Sequence, residues 1–345
     1  MRRSLNKNSK VRVSFFVSVF LSAIIMALLL PACGNGPEGN RGITLKLVSC
    51  WEDTSILNDK LKLYIERVNE EGEGKVSIDY LGGPEIAPIT EAVGLVRDGV
   101  YDMAMSTPRY YDELCPPANM LYYLTPDIAL LREIGAIDIS DEFHREMLGV
   151  SHLGFLTRGE KYTILSIEAI TDANFSGLMI HTFPMCTASL SYLGASTKSI
   201  KESDYYTALQ TGVVDAITLP VGTTPYELGL YEIADLILYP LIPIYETGVL
   251  LINAESFDGL PADVRELLTD VMLDIEKEVQ KYYTEVMYTY TERLISKGIE
   301  PVYLLGDDAD KYLYAFTDYA WERLLEKNPV WGPELYEVCK PYLEQ

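Results

Sequence analysis

Residue types that carry out catalysis are present in this chain, but they do not occur at the spacings that known catalytic motifs require. The sequence contains no GxSxG nucleophile motif, no phosphate-binding loop, no GxGxxG fingerprint and no run of metal ligands. Its three histidines, His144, His152 and His181, are too scattered to predict a zinc site. With 51 Asp and Glu residues, any acid–base pair could be chosen arbitrarily. The sequence therefore predicts no enzymatic activity, no cofactor and no bound metal.

The composition is that of an acidic globular protein. The 345 residues are 48% apolar and 23% charged, which is ordinary for a folded chain and enough for two domains with their own cores. The formal net charge of −23 argues against a nucleic-acid partner, since phosphates are bound by basic surfaces. An acidic surplus of this kind indicates a soluble, self-repelling surface.

The first 32 residues predict a secretory signal. Basic residues at the start precede an almost continuously apolar run over 13–32, which ends in the sequence LPAC at Cys33. This ending resembles a bacterial lipoprotein signal, which implies that Cys33 is lipidated and that residues 33–42 form a flexible tether. The alternative is an uncleaved membrane anchor, because the apolar run could just span a bilayer. Both interpretations place the mature protein outside the cytoplasm.

Four further cysteines remain if Cys33 carries lipid. An oxidising compartment permits disulfides, but the sequence leaves their pairing open. These four are Cys50, Cys115, Cys186 and Cys339.

Apolar periodicity predicts alternating strands and helices. Strands are predicted over 44–49, 76–80 and 101–105, and they are separated by helices over 57–68 and 85–97. Because consecutive strands are joined through helices, they should pair in parallel with right-handed crossovers. The predicted fold class is therefore α/β.

Residues 202–220 (ESDYYTALQTGVVDAITLP) predict a helix, a glycine and a strand. Ser203 is the predicted N-cap, Gly212 the C-cap glycine, and Pro220 the end of the strand. The residues before Pro220 then lie at the carboxyl end of a strand, which is where open α/β sheets bind ligands.

Several motifs, in matching order, resemble those of TRAP-transporter solute-binding proteins, the DctP-type extracytoplasmic subunit. They cover nearly the whole mature chain, and they stand at 74–76 (GKV), 82–83 (GG), 96–103 (VRDGVYDM), 175–180 (FSGLMI), 206–215 (YTALQTGVVD) with Pro220, 252–255 (INAE) and 260–261 (LP). The resemblance implies a protein that captures a small organic acid or related polar or aromatic compound. It would deliver this ligand to a permease with a small and a large membrane subunit.

A long apolar stripe over 261–298 predicts a helix of about 50 Å, long enough to bridge two domains. Two later helices are predicted over 308–325 and 331–343. The resemblance implies a two-lobe, periplasmic-binding-protein-like fold with a hinge and this helix under both lobes. The predicted lobes are 43–155 with about 248–285 (lobe I) and 156–247 with about 286–345 (lobe II).

The resemblance also implies a ligand cleft between the lobes. Family members grip a ligand carboxylate with an arginine where this chain has His181, and a second family arginine is matched by Arg158. A histidine offers fewer donors and is largely neutral at pH 7, which weakens a carboxylate clamp. The other positions at which the family meets its ligand are Trp51, Glu52, Thr107, Tyr110, Glu202, Thr218, Leu219, Tyr245 and Thr247.

The ligand class is left open by these residues. If Arg158 points into the cleft, the ligand is an acid; if it does not, aromatic rings and carboxylates would hold a neutral or amine-bearing compound. Each residue also has a structural alternative, as a core histidine, a surface cation or a core ring. The protein could instead present its ligand to a sensor, or be a structural lipoprotein that has lost ligand binding.

Overall fold

A computed structural model describes residues 42–343, so the predictions on the signal sequence, Cys33 and most of the tether lie outside the described residues. Within them, strands and helices alternate as predicted. The strands are β1 (Ile43–Ser49), β2 (Val76–Gly82), β3 (Met103–Ser106), β4 (Val150–Ser166), β5 (Met179–His181), β6 (Ser196–Lys198), β7 (Ala216–Pro220), β8 (Leu236–Tyr239), β9 (Ile242–Asn253) and β10 (Glu300–Tyr303).

The α-helices of the described chain range from one turn to 35 residues. They are α1 (Asp59–Glu71), α2 (Ala92–Arg97), α3 (Ile128–Glu133), α4 (Ala136–Leu148), α5 (Pro184–Tyr192), α6 (Tyr205–Gln210), α7 (Thr224–Glu227), α8 (Ala254–Gly259), α9 (Ala262–Ser296), α10 (Asp307–Phe316), α11 (Asp318–Lys327) and α12 (Gly332–Cys339).

The strands form one curled sheet in the order β2-β1-β3-β9-β4-β7-β5-β6, with β8 paired to β4 and β10 paired to β8. β1, β2 and β3 are parallel, as the strand and helix rhythm predicts. β5 is likewise parallel to β6 and β7. β9 departs from this pattern because it runs antiparallel to both β3 and β4.

The two lobes are joined by the long strands β4 and β9. These strands pair from Val150 with Asn253 to Tyr162 with Ile242, and four register shifts interrupt the pairing. β9 also pairs with β3, whereas the carboxyl end of β4 pairs with β7 and β8. Register shifts bend a strand pair and increase its twist, so this crossing has the properties of a hinge. The predicted lobe boundary at 155/156 falls inside β4.

The predicted long helix is confirmed as α9, which packs on both lobes. Near its start, the Tyr64 hydroxyl of α1 donates a hydrogen bond to the Leu268 carbonyl at 3.1 Å. Towards its end, Met287 and Leu294 are buried in the core that also contains Ile217 of β7. One helix therefore supports the cores of both lobes.

Three local predictions needed correction. The helix predicted over 85–97 begins only at Ala92, because Pro88 disfavours helical backbone in the residue before it. Ser203 is not an N-cap: a 3-10 turn over Glu202–Asp204 precedes α6, whose start has no side-chain cap. The helix predicted over 308–325 is broken at Thr317, where the backbone leaves the helical region. Gly212 does follow α6 with φ of 67°, as a glycine that ends a helix requires.

The four cysteines of the described chain are buried and unpaired. Burial raises the pKa of the Cys115, Cys186 and Cys339 thiols to about 12. No helix within residues 42–343 has the length and apolar character needed to cross a bilayer.

The buried Glu276 carboxylate fixes α9 to both α3 and β4. The Glu276 carboxylate of α9 accepts hydrogen bonds from the Arg132 guanidinium (Nη2, 3.0 Å) and from the Phe155 amide of β4 (2.9 Å). The Glu276 side chain is only 4% exposed, so both donors depend on this acceptor.

Glu276→Ala should lower the free energy of unfolding by about 2–4 kcal/mol, because it leaves Arg132 and the Phe155 amide without their acceptor. Lys277→Ala is the matched control, since it removes an exposed pair with Asp274 and should cost less than about 1 kcal/mol. Urea unfolding of both variants measures the difference. Equal losses would show that Glu276 does not hold the helix to the sheet.

Candidate functional site

A cleft of about 680 Å³ opens at the carboxyl ends of strands from both lobes. Lobe I contributes the segments after β1 and β3, and lobe II contributes the segments after β5, β6 and β7. Its lining residues include Cys50, Trp51, Glu52, Ser55, Arg109, Tyr110, Phe183, Glu202, Ser203, Tyr205, Leu219, Pro220, Thr224 and Glu227. The cleft position agrees with the general rule for ligand sites in α/β sheets.

Arg109 is the basic residue of this lining. Its Nη1 donates to both Glu246 carboxylate oxygens at 2.7 Å and to the Tyr162 hydroxyl at 3.1 Å. The Arg109 and Glu246 side chains are 5% and 0% exposed. Burial alone would lower the pKa of Arg109, but the Glu246 carboxylate outweighs it and holds that pKa well above its usual value. This buried ion pair lies at the base of the cleft, where β9 and β4 cross.

The Arg109 guanidinium also links the two lobes through aromatic rings. Its central carbon lies 5.0 Å from the ring of Tyr110 and 4.9 Å from the ring of Phe183. Phe183 follows β5 of lobe II, whereas Arg109 follows β3 of lobe I. Cation–π contact across the cleft therefore already exists without a ligand.

His181, which stands where the family has its clamp arginine, is fully buried and does not line the cleft. Its Nε2 lies 2.8 Å from the Tyr205 hydroxyl, and its ring packs edge-on to Phe183. Burial lowers the pKa of His181 to about 4, so the ring is neutral at pH 7. His181 supports two aromatic residues of the lining and offers no charge to a ligand.

Arg158 is also fully buried, and its guanidinium is saturated by protein acceptors. It donates to the carbonyls of Leu121, Leu124 and Thr125 and to the Thr247 hydroxyl. Desolvation lowers its pKa to about 10. All these acceptors lie outside the cleft lining, so Arg158 fixes the loop before α3 to the β4 and β9 pair.

The structure brings together five of the eleven residues chosen from the sequence. Those in the cleft lining are Trp51, Glu52, Tyr110, Glu202 and Leu219. The remaining six are buried in the walls and hinge, and these are His181, Arg158, Thr107, Thr218, Tyr245 and Thr247. Of these, Thr107 bonds the Tyr122 hydroxyl (2.5 Å) and Thr247 donates to the Tyr245 carbonyl (2.8 Å).

Sequence reasoning missed Arg109 although it selected Thr107 and Tyr110 on either side of it. The available signal was a basic residue directly after a predicted strand, at the edge where ligands bind. Glu227 was also missed, because nothing in the sequence places α7 beside the cleft. Phe183 lies two residues after His181, the last residue of β5, and Tyr205 begins α6 directly after the 3-10 turn that contains Glu202.

Carboxylates dominate the charge of the cleft lining. Desolvation raises the pKa of Glu202, and the negative charges of Glu246, Glu227 and Glu52 raise it further against the opposing effect of Arg109. Desolvation also raises the pKa of Glu227. The ionised forms of both groups are therefore disfavoured while no cation lies beside them.

Glu160 of β4 is a further buried acid, 2% exposed, beside the crossing. Among the described residues, its Oε1 has no hydrogen-bond partner. A Cβ at Gly222 would lie 2.2 Å from this oxygen, so a larger residue at that position would displace the Glu160 carboxylate. Burial first, then the charges of Glu246 and Glu227, raise the pKa of Glu160 to about 8. Glu160 is therefore mostly protonated at pH 7.

Glu160→Gln should stabilise the protein relative to wild type. The difference in their free energies of unfolding should grow as pH rises towards 8. The pKa of Glu160 is higher in the folded state than in the unfolded state. Its contribution to the free energy of unfolding is therefore complete at acidic pH and is lost as pH rises through about 8. Between these limits the difference should grow by at most about 1.4 kcal/mol per pH unit. Urea unfolding from pH 5 to pH 9 measures it.

Glu278→Gln is the control for this experiment, since the Glu278 side chain is 71% exposed. Its difference from wild type should stay nearly constant with pH above 5. A constant difference for Glu160→Gln as well would contradict the raised pKa.

No cluster of three or more metal-ligating side chains occurs among residues 42–343. A smaller cavity of about 210 Å³ lies between α5 and α11, lined by residues that include Asn119, Met185 and Lys327. It is not at the carboxyl ends of the strands, so the interlobe cleft is the candidate binding site.

Comparison with known proteins gives a consistent result. Residues 47–325 match the family model for bacterial extracellular solute-binding proteins, family 7. The 2,3-diketo-L-gulonate-binding periplasmic protein YiaO of Escherichia coli is 22% identical over 248 residues, which covers 70% of this chain and 75% of that protein.

Solved structures show the same fold at low identity. A TRAP periplasmic solute-binding protein from Marinobacter aquaeolei, in an apo open form, has a TM-score of 0.76 at 20% identity and covers 86% of this chain and 99% of its own. One from Pseudoalteromonas atlantica, with bound sodium and pyruvate, has a TM-score of 0.77 at 18% identity and covers 88% and 94%. The predicted two-lobe α/β fold with a hinge is confirmed by these similarities.

Proposed function

Because the chain belongs to the bacterial extracellular solute-binding proteins of family 7, which are binding proteins and not enzymes, we propose that it captures a small metabolite for a TRAP-type transporter. The observation that carries this proposal is the interlobe cleft at the carboxyl ends of the strands. Its expected partners are the small and large permease subunits, with no nucleic acid and no cofactor. The proposed location is extracytoplasmic.

Closure of the two lobes would capture the solute. Bending at the β4 and β9 crossing brings Glu202 and Phe183 of lobe II towards Trp51 and Glu52 of lobe I. A ligand that contacts both walls favours the closed state by its differential affinity, which is a population shift and not a chemical step. The closed form would present the surface that the permease recognises.

The similar proteins support a small, charged ligand. The Escherichia coli protein YiaO binds 2,3-diketo-L-gulonate, and the Pseudoalteromonas atlantica structure contains bound pyruvate. A further structure, from Desulfovibrio salexigens, contains orotic acid (TM-score 0.75, 15% identity). We therefore place the ligand of this chain among small organic acids and related polar or aromatic metabolites.

Ligand should make the protein more compact. A thermal-shift screen of a metabolite library supplies the first ligand, and solution scattering then compares the radius of gyration with and without it at saturation. We expect a decrease for wild type and no decrease for Trp51→Ala at the same ligand concentration, because Trp51 lines the lobe I wall. Unchanged scattering of a saturated wild-type protein would contradict two-lobe closure.

We also propose that the mature protein is anchored to a membrane by lipid on Cys33. The basic start, the apolar run over 13–32 and the LPAC ending support this proposal. A lipid anchor would keep the binding protein close to its permease and raise its local concentration there.

Mass spectrometry of the membrane fraction should find a diacylated peptide that begins at Cys33. Cys33→Ser should release or mislocalise the protein, because the lipidated thiol is then absent. The control is Cys50→Ser, which changes a buried cysteine and should leave the protein membrane-bound. An intact N-terminus that still carries residues 1–32 would contradict the processing.

A further inference from the structure

The charges of the cleft do not suit a simple dicarboxylate. Three carboxylates line it, from Glu52 in lobe I and from Glu202 and Glu227 in lobe II. The positive charge of Arg109 is already offset by the buried Glu246 carboxylate at 2.7 Å. A dianion would therefore add two negative charges where carboxylates already outnumber cations, and closure would remove the water that screens them.

One edge of the Arg109 guanidinium nevertheless remains for a ligand. The hydrogen bonds that Arg109 donates to protein come from Nη1. Within the part of the chain that the structure describes, its Nε has no hydrogen-bond partner, although the side chain is only 5% exposed. A buried donor without an acceptor is costly, and a carboxylate is the acceptor that best matches a guanidinium edge. The cleft thus offers a place for one carboxylate.

The aromatic walls suit a cation. Trp51, Tyr110, Phe183 and Tyr205 all line the cleft. Tyr110 and Phe183 already accept the Arg109 guanidinium at 5.0 and 4.9 Å. Rings of this kind attract an ammonium group most strongly after water is excluded.

We propose that the cleft binds a zwitterionic, amino-acid-like solute, with its carboxylate on the free edge of Arg109 and its ammonium group between Glu202 and Glu227. This inference rests on the proposed solute-binding function and specifies the ligand class. The negative group of the ligand matches the free edge of Arg109. Its positive group matches the carboxylates, which outnumber the cations in the cleft lining.

The carboxylates of the cleft lining suit such a ligand electrostatically. Desolvation raises the pKa values of both Glu202 and Glu227. An ammonium group beside them favours their ionised forms, so binding of an ammonium group lowers the cost of ionising them. A second carboxylate of a dicarboxylic acid would increase the same cost.

Matched ligand sets test the proposal by isothermal titration calorimetry. Each set has one carbon skeleton and three charge patterns, for example succinate, 4-aminobutyrate and 1,4-diaminobutane, together with α-amino acids and the acids that lack their amino group. We expect an amino-acid member to bind at least tenfold more tightly than the acid or diamine of its set.

Variants locate the ammonium group. Glu202→Gln with Glu227→Gln should weaken the amino acid about 10- to 100-fold and leave the acid without an amino group unchanged or tighter. Glu232→Gln is the matched control: Glu232 is an exposed acid of the same lobe that accepts a hydrogen bond from Tyr206 (3.1 Å) and is not part of the cleft lining. It should bind as wild type does.

The outcomes separate the two proposals. If the acid or the diamine of a set binds most tightly, or if the double variant keeps wild-type affinity for the amino acid, the zwitterion inference is wrong and solute capture stands. If no member of any set binds, and a broad metabolite screen gives no ligand either, both proposals are wrong.

Discussion

The structure depends on the pairing of β4 and β9. Because these strands carry the single sheet from one lobe into the other, the lobes cannot separate without breaking backbone hydrogen bonds. Motion is therefore confined to bending, and the register shifts along the pair are where bending costs least. The helix α9 packs against both lobes and limits this bending further. Closure of the cleft, as proposed above, would take place around a fixed base.

That base contains three buried ionisable side chains, which differ in how far protein groups satisfy their hydrogen bonds and charge. Arg158 is saturated by carbonyls and a hydroxyl, and Arg109 is paired with Glu246 but keeps a free edge. One oxygen of Glu160 has no partner within residues 42–343, and its pKa of about 8 leaves this carboxyl mostly protonated at pH 7. The degree of compensation distinguishes their roles: a fully satisfied guanidinium holds a loop, and an incompletely satisfied one faces the cleft.

The fold was largely predictable from the sequence, and the site was predictable only in part. Apolar periodicity defined β1 to β3 and the 35-residue α9, since these elements bury one regular face. The antiparallel β9 was not predictable, because a strand's direction depends on which neighbour it meets. Trp51 and Tyr110 were assigned from the resemblance to the family, and both lie in the cleft lining. Arg158 and His181 were assigned by motif position, and only tertiary contacts show that one is saturated and the other buried.

The reactivity of the four unpaired cysteines in the described chain can report local or global opening of the protein. Their thiols are buried, and the three with a pKa near 12 hold almost no thiolate at neutral pH. Alkylating reagents can therefore react only with molecules that have locally or globally unfolded. Cys50 lies in the cleft wall, whereas Cys339 lies in the last helix α12. The rates at which the two thiols are modified would thus distinguish fluctuation of the cleft wall from loss of the carboxyl-terminal packing.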